Sequence, residues 1–461
     1  MSLVIPKKLA NYGKSPVGVA SYRDVRVERI SLLPSSANAN QMYTPDGVNQ
    51  INFRIPAYSG GFMDTARSFL SYNFQVTGAV NVDAANQLKK SDVPAGWIKR
   101  ITIKSSSGLV LEQIDNYNIL CKIMKLMSSS EAARIDAGDF SSVSELADRV
   151  TIGGLQTQSP RTYTLRFDTG LLSQHLKSYI PLHVMDQGFA LDVSLQLAPI
   201  MDVLEYASSD PTTLGGLLPS GSYQISDVKF NIGLVKIDSS LCDKFDKIAC
   251  GDESIVMPFT TFHNHTASCT SMSSVVHISD NCTDLRRVYS VFTPTTGGGG
   301  INDDPSLFMG SVEEAVGSAL TSYNYKLGNE SVFNEPVQET TNNNISLAHF
   351  LDAHHSGGNK NSPAMSISNI NNDLLNTRFA TVYESKSSFV ICCDMTYSAE
   401  SKDGAVTQGV SPGSQPITGH FKFSGVPSLN NHNFVECGYD LVVKNGSLSY
   451  VEHQLHGKHS V

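Results

Sequence analysis

From Gly188 to Ala198 the chain alternates without a gap. Phe189, Leu191, Val193, Leu195 and Leu197 are separated by Ala190, Asp192, Ser194 and Gln196. A strict period of two puts one set on each side of an extended backbone, so this segment predicts a strand with one buried face. The same pattern recurs in VNQINFRIPAY (48–58), with Ile51, Phe53 and Ile55 in phase, and in SFLSYNFQVTG (68–78). It recurs again in GWIKRITIKSSSGLVLEQI (96–114) and YQISDVKFNIGLVKID (223–238). Residues 115–127 break it: Tyr117, Leu120, Met124 and Met127 are spaced by three and four, which predicts a helix with Asp115 as its cap. After residue 250 strands return in SIVMPFTTFHNH, TSMSSVVHISD, DLRRVYSVFTP, SYNYKLGN, SFVICCDMTYS and GHFKFSG. They end in ECGYDLVVKNGSLSYVEHQ, where Asn445-Gly446 signals a hairpin. Short helices are expected at 239–250 and 347–355.

The order strands, helix, strands is thus used twice, with the join near 238–252. Short strand spacing argues for antiparallel sandwiches and against βαβ units. Composition agrees. Charged residues are only 17% of the 461, below the roughly 25% of an average soluble protein. The polar surface must therefore come from Ser, Asn, Thr, Gln and Gly. The expected loops at 129–160, 293–321, 339–380 and 398–416 have this character. The net charge of −9 excludes a mainly electrostatic nucleic-acid binder as the reading of the whole chain. No apolar run reaches membrane-spanning length, and MSLVIPKKLANYGKSP carries no signal-like apolar core, so synthesis in the cytosol is expected. Eight cysteines without a CxxC pair read as buried small hydrophobes in that compartment.

Catalytic signatures are missing: the sequence has no GxSxG, HExxH or Walker A motif. GGGG at 297–300 is followed by no lysine and reads as a loop tip. His263 and His265 share one strand face, a spacing that suits a metal. No third ligand is marked in the sequence, so no metal is assigned to them. The pair reads as a solvated strand end, and His354-His355, at a polar helix end, reads the same way; Asn302-Asp303-Asp304 clusters hard oxygen ligands that could take calcium, but lacks the spacing of a defined calcium loop. No enzyme activity and no cofactor are expected. Residues 1–44 stand apart: Lys7, Lys8, Lys14, Arg23, Arg26 and Arg29 face only Asp24 and Glu28, a net of +4 in an acidic chain. They are expected to form a basic arm toward an anionic partner.

Four segments carry a resemblance. They are IKRITIKSSSGLVLEQIDNYNILCKIMKLM (98–127); YQISDVKFNIGLVKIDSS (223–240) running on to SIVMPFTTFHNH; SYNYKLGNESVFNEPVQ (322–338); and FVICCDMTY with the closing GYDLVVKNGSLSYVE. In this order and texture the chain resembles the double jelly-roll major capsid proteins of double-stranded DNA viruses, in the polinton-like virus, adintovirus and virophage group. The third segment departs from the family pattern, reading GNESVFNEP where that pattern carries Lys and Tyr. The resemblance implies an all-β fold of two tandem eight-stranded jelly-roll sandwiches with short helices in the loops. Its parts would be a basic arm at 1–44, a first jelly roll at 45–238 and a second at 239–461. It implies a homotrimeric, pseudo-hexagonal capsomer tiling an icosahedral shell, located in the virion. The partners implied are copies of itself, neighbouring capsomers, penton and minor or cement proteins, and the genome or an internal membrane through the arm. The competing readings are a tandem β-sandwich glycan-binding protein or virion spike, and a β-sandwich glycosidase. A single tryptophan, Trp97, is little for a sugar platform.

Overall fold

A computed structural model describes residues 26–35, 41–58, 61–77, 86–90, 95–127, 160–167, 170–184, 189–208, 222–237, 243, 255–280, 282–295, 320–338, 349, 390–399, 406–412, 415–444 and 447–452. The first unit contains β1 (Arg26–Leu32), β2 (Gln50–Pro56), β3 (Gly61–Thr77), β4 (Asn86–Lys90), β5 (Ile98–Ser105) and β6 (Val110–Asp115). These are followed by α1 (Tyr117–Met127), β7 (Arg161–Leu165), β8 (Phe189–Leu197), the one-turn α2 (Ile200–Val203), β9 (Leu204–Ser208) and β10 (Ser222–Lys236). One antiparallel sheet has the order β1-β10-β3-β7 and the other β2-β8-β5-β6, while β4 and β9 make a separate ribbon.

The second unit contains β11 (Ile255–Cys269), β12 (Ser273–Ile278), β13 (Leu285–Pro294), β14 (Leu320–Leu327), β15 (Glu330–Ser331) and β16 (Val337–Gln338). It continues with β17 (Ile391–Asp394), β18 (Tyr397–Ala399), β19 (Val406–Gln408), β20 (Ile417–Phe423), β21 (Leu429–Lys444) and β22 (Ser447–Glu452). Its sheets run β11-β21-β13-β17 and β12-β20-β14-β15. β22 extends the first by pairing with β21, β16 pairs with β14 in the second, and β18 and β19 form a ribbon. Counting only the sandwich strands of each unit in chain order, both units have one sheet ordered 1-8-3-6 and another ordered 2-7-4-5. That is the jelly-roll order, present twice.

The alternating residues build both cores. Ile51, Phe53 and Ile55 on β2, and Leu191, Val193 and Leu195 on β8, are all at most 1% exposed. Ile51 pairs with Leu195 and Phe53 with Val193. Across the sandwich Phe53 meets Phe230 of β10 at 5.7 Å between ring centroids. In the second unit Phe292 of β13 packs edge-on against Phe421 and Phe423 of β20, at 5.2 and 5.6 Å. On the other face of β8, Ala190 is fully buried while Asp192, Ser194 and Gln196 are half-buried. Ile98 and Ile101 keep the same face despite a spacing of three, because a bulge lies between Ile98 and Arg100. Cys392 and Cys393 are both buried, and the other described cysteines, Cys121, Cys269, Cys282 and Cys437, are buried as well.

Three sequence expectations change. The first sandwich was expected from residue 45, yet its first strand is β1 at Arg26–Leu32, paired with β10 along its whole length from Arg26–Lys236 to Leu32–Phe230. β1 is an edge strand with mostly exposed residues and no clean apolar face (Val27 is 49% exposed), so its alternation was too weak to read. Arg26 and Arg29, assigned to a free arm, therefore belong to a sheet. Arg29 lies over the Phe69 ring at 5.1 Å, and Glu28 beside them pairs with Lys236 at 2.7 Å. Finally, α1 is present but Asp115 does not cap it. Asn116, at φ 52°, precedes the helix and its carbonyl accepts from Ile119 and Leu120, while Asp115 pairs with Arg100. The helices expected at 239–250 and 347–355 lie outside the described residues except for Asp243 and His349, as do most of the expected long loops. The hairpin expected at 445–446 is framed by Lys444 opposite Ser447.

Candidate functional site

Among the described residues, a buried polar region lies where the two units touch. β6 of the first unit and β11 of the second, each at the edge of its sheet, are bridged by side chains. Glu112 on β6 is buried. Its Oε1 accepts a hydrogen bond from Thr261 Oγ1 of β11 at 2.5 Å, and its Oε2 accepts one from the Leu171 amide at 2.9 Å. Gly170, at φ 78°, is the residue that lets the loop close on this carboxylate: any Cβ there would collide with it. Nearby, Asn116 donates to Asn264 at 2.9 Å across the same boundary, and Thr266 beside it meets His432 Nδ1 at 3.1 Å. His432 Nε2 meets Thr293 at 3.0 Å. Burial and the positive charge of Lys99 hold the His432 pKa down to about 4, so the ring is neutral at physiological pH. Lys99 itself pairs with Asp202, to which Asn118 also donates.

Burial pushes the Glu112 pKa up to about 7, outweighing the hydrogen bonds from Thr261 and Leu171 and the pull of His263. The native protein thus keeps a proton that the unfolded chain loses above pH 4.5. Stability must then fall as pH rises from about 4.5 to about 7, and level off above. Roughly 2.5 pH units at 1.36 kcal/mol each make this about 3 kcal/mol. Glu112→Gln keeps the shape and cannot ionise: its carbonyl can accept from Leu171 while its amide donates to Thr261. The variant is expected to match the parent at pH 4.5 and exceed it by about 3 kcal/mol at pH 8. Urea denaturation midpoints at the two pH values check this, and an unchanged difference between the two proteins would remove Glu112 as the cause.

Two further clusters belong to the second unit. Arg287, Glu436 and Asp394 lie side by side on β13, β21 and β17. Arg287 Nη1 donates to both Glu436 oxygens at 3.2 and 3.0 Å, and its Nε is 3.7 Å from Asp394. Tyr289 also donates to Glu436 at 3.3 Å. Burial works against the Arg287 charge, but Glu436, Tyr289 and Asp394 more than restore it and hold its pKa above the usual value. The other cluster gathers His263 and His265 around Asp280, joined by Cys437.

The residues singled out in the sequence fare unequally. His263 and His265 do share a face, and the structure brings them Asp280 and Cys437. Asp280 follows β12, and Cys437 sits on β21 opposite Thr261. Strand pairing alone joins these positions, and no local spacing announces it. Glu112 offered a weak signal, as a lone acid in the apolar run LVLEQI. Lys7, Lys8, Lys14 and Arg23 lie outside the described residues, as do Gly297–Gly300, Asn302–Asp304 and His354-His355. Trp97 is 1% exposed and packs at a tilt of 58° against Tyr72, 5.0 Å between centroids, so it offers no platform to a sugar. Among the described residues no helix is long and apolar enough to cross a membrane.

No protein-family model and no curated protein sequence matches the chain. Solved structures do. A chain from the Sputnik virophage is 11% identical, with a TM-score of 0.60, covering 100% of this chain and 96% of that one. The Faustovirus major capsid protein is 8% identical, with a TM-score of 0.55 and coverages of 93% and 92%. The mavirus major capsid protein is 12% identical, with a TM-score of 0.51 and coverages of 98% and 96%. The fold of this chain is the double jelly roll of major capsid proteins from large DNA viruses and virophages.

Proposed function

We propose that this chain is a major capsid protein whose homotrimer is a pseudo-hexagonal capsomer of an icosahedral shell. The observation that carries the reading is the repeat of one eight-stranded order in both units, joined edge to edge through Glu112 and Thr261. Two like wedges per chain become six around a threefold axis, an outline that fills a lattice of sixfold positions. The role is structural. The buried ionic and polar groups described above hold strands and units together, and the fold's relatives, full-length on both sides, are capsid proteins. Partners on this reading are two further copies, neighbouring capsomers, and penton and minor or cement proteins; the location is the virion. The buried Trp97 argues against the glycan-binding reading.

Residues 1–25 keep Lys7, Lys8, Lys14 and Arg23 against Asp24 alone, a net of +3. They form the arm of this reading, placed on the inner face against an anionic partner, either genome or membrane head groups. Because β1 begins at Arg26, the informative truncation starts the chain there. The full-length protein is expected to elute as a species of about 150 kDa by light scattering, three times the 49.9 kDa of one chain, and the truncated protein as the correspondingly lighter trimer. Only the full-length protein is expected to go on to shells visible by electron microscopy. A monomer that persists at high concentration would overturn the capsomer, and equal assembly by the truncated chain would remove the arm's role.

A further inference from the structure

The antiparallel register sets Thr261 of β11 opposite Cys437 of β21, so Cys437 shares its face with His263 and His265. The turn that follows β12 lays Asp280 across this face. Asp280 Oδ2 lies 2.8 Å from His263 Nδ1 and 3.2 Å from His265 Nε2. Asp280 Oδ1 accepts the Cys282 amide at 3.2 Å, which fixes the carboxylate. Cys437 Sγ is 4.0 Å from His263 Nδ1, and the donor atoms of His263, Asp280 and Cys437 all lie within 4.8 Å of one another. A His–Asp ion pair would explain the first two contacts. It does not explain why a third element adds a thiol to the same spot.

We propose that His263, Asp280 and Cys437 form a binding site for a zinc-class divalent cation, with water in the fourth position. The donor set is one imidazole nitrogen, one carboxylate oxygen and one sulfur, which suits zinc and disfavours magnesium or calcium. Tetrahedral zinc with bonds of about 2.0–2.3 Å separates its ligand atoms by about 3.3–3.6 Å. The separations of 2.8 and 4.0 Å lie on either side of that range, and all three donor atoms lie within 4.8 Å of one another. Asp280 is only 4% exposed whereas His263 is 33% exposed, which leaves an entrance on the histidine side. His265 stays on Asp280 as the group that orients the carboxylate. On binding, Cys437 releases its thiol proton to solvent, and neutral His263 changes tautomer by exchange with solvent, its ring proton leaving Nδ1 and ending on Nε2. Both lone pairs then bond to the cation, with no change of oxidation state. The cation would tie β11, β21 and the turn after β12 into one piece, two residues from the Thr261 that holds Glu112.

The test uses the full chain, stripped with a chelator and titrated with cobalt chloride, then zinc chloride. One equivalent of cobalt per chain is expected, with the near-ultraviolet charge-transfer band of a thiolate ligand and visible bands of a four-coordinate ion, all displaced by zinc. Cys437→Ser should lose the charge-transfer band. His263→Gln should weaken binding at least ~100-fold, and His265→Gln by about tenfold, keeping the band. Cys282→Ser should also keep it. Binding of several weak equivalents without the thiolate band, or a full band in Cys437→Ser, would overturn the site. Cys437 is fully buried, so that variant can fail to fold. His263→Gln then decides on its own, and unchanged affinity in it refutes the proposal.

Discussion

Replacing Leu195 with aspartate is expected to abolish the soluble folded protein. Leu195 has no exposed surface and sits on β8 between Ile51 of β2 and Ile101 of β5, in the middle of a sheet. Removing a leucine of this kind costs about 2–5 kcal/mol. Its cross-strand neighbours, Ile51 and Ile101, have apolar side chains that offer the new carboxyl group no donor, and an unpaired polar group costs roughly 2–7 kcal/mol more. The sum rivals the whole stability of a typical domain, about 5–15 kcal/mol. Aspartate at Gln196, one position along on the half-buried face, is the control and should express normally. Normal melting of the Leu195→Asp protein would show that the strand faces the other way.

The second large effect concerns the ionic row across β17, β13 and β21. Arg287→Met leaves Glu436 buried with its charge uncompensated. A loss of about 3–5 kcal/mol is expected. Adding Glu436→Leu removes the stranded charge and fills the space, and should recover most of that loss. The denaturant midpoints of the parent, both single variants and the double variant complete the cycle. If Arg287→Met were neutral, or if the double variant were as weak as the singles combined, the row would not be a coupled buried pair.

These two predictions differ in how far the sequence foretold them. Leu195 was legible because its strand lies inside a sheet with one apolar face, the situation in which period-two alternation is cleanest. The same holds for β2, and the three-and-four spacing of α1 was equally clear. β1 was not legible, because an edge strand with both faces wet keeps no such alternation. The ionic row was not legible either. Arg287 and Glu436 look like surface residues until β13 and β21 are paired. The histidine pair was half-legible: a shared strand face follows from spacing, but Asp280 and Cys437 reach it only through the fold. Local periodicity reports burial of whole faces, whereas a site assembled from distant strands leaves no periodic trace.

The jelly-roll order also sets the tempo at which this chain can fold. Position 26 pairs with position 236, and position 255 with position 443. Each sandwich has its first strand beside its last, so neither can close until nearly all of it has left the ribosome. Until then β3 in the first unit and β11 in the second, 17 and 15 residues long, carry open hydrogen-bonding edges. Pairings so distant in sequence are slow to form and prone to wrong partners meanwhile. Synthesis delivers the first unit complete before the second begins. Dilution from denaturant releases both at once, with two sets of edges of the same design. Folding during translation should therefore yield far more native protein than refolding. Slowing translation after position 236 should raise the yield further, by giving the first sandwich time to seal before its near-copy appears.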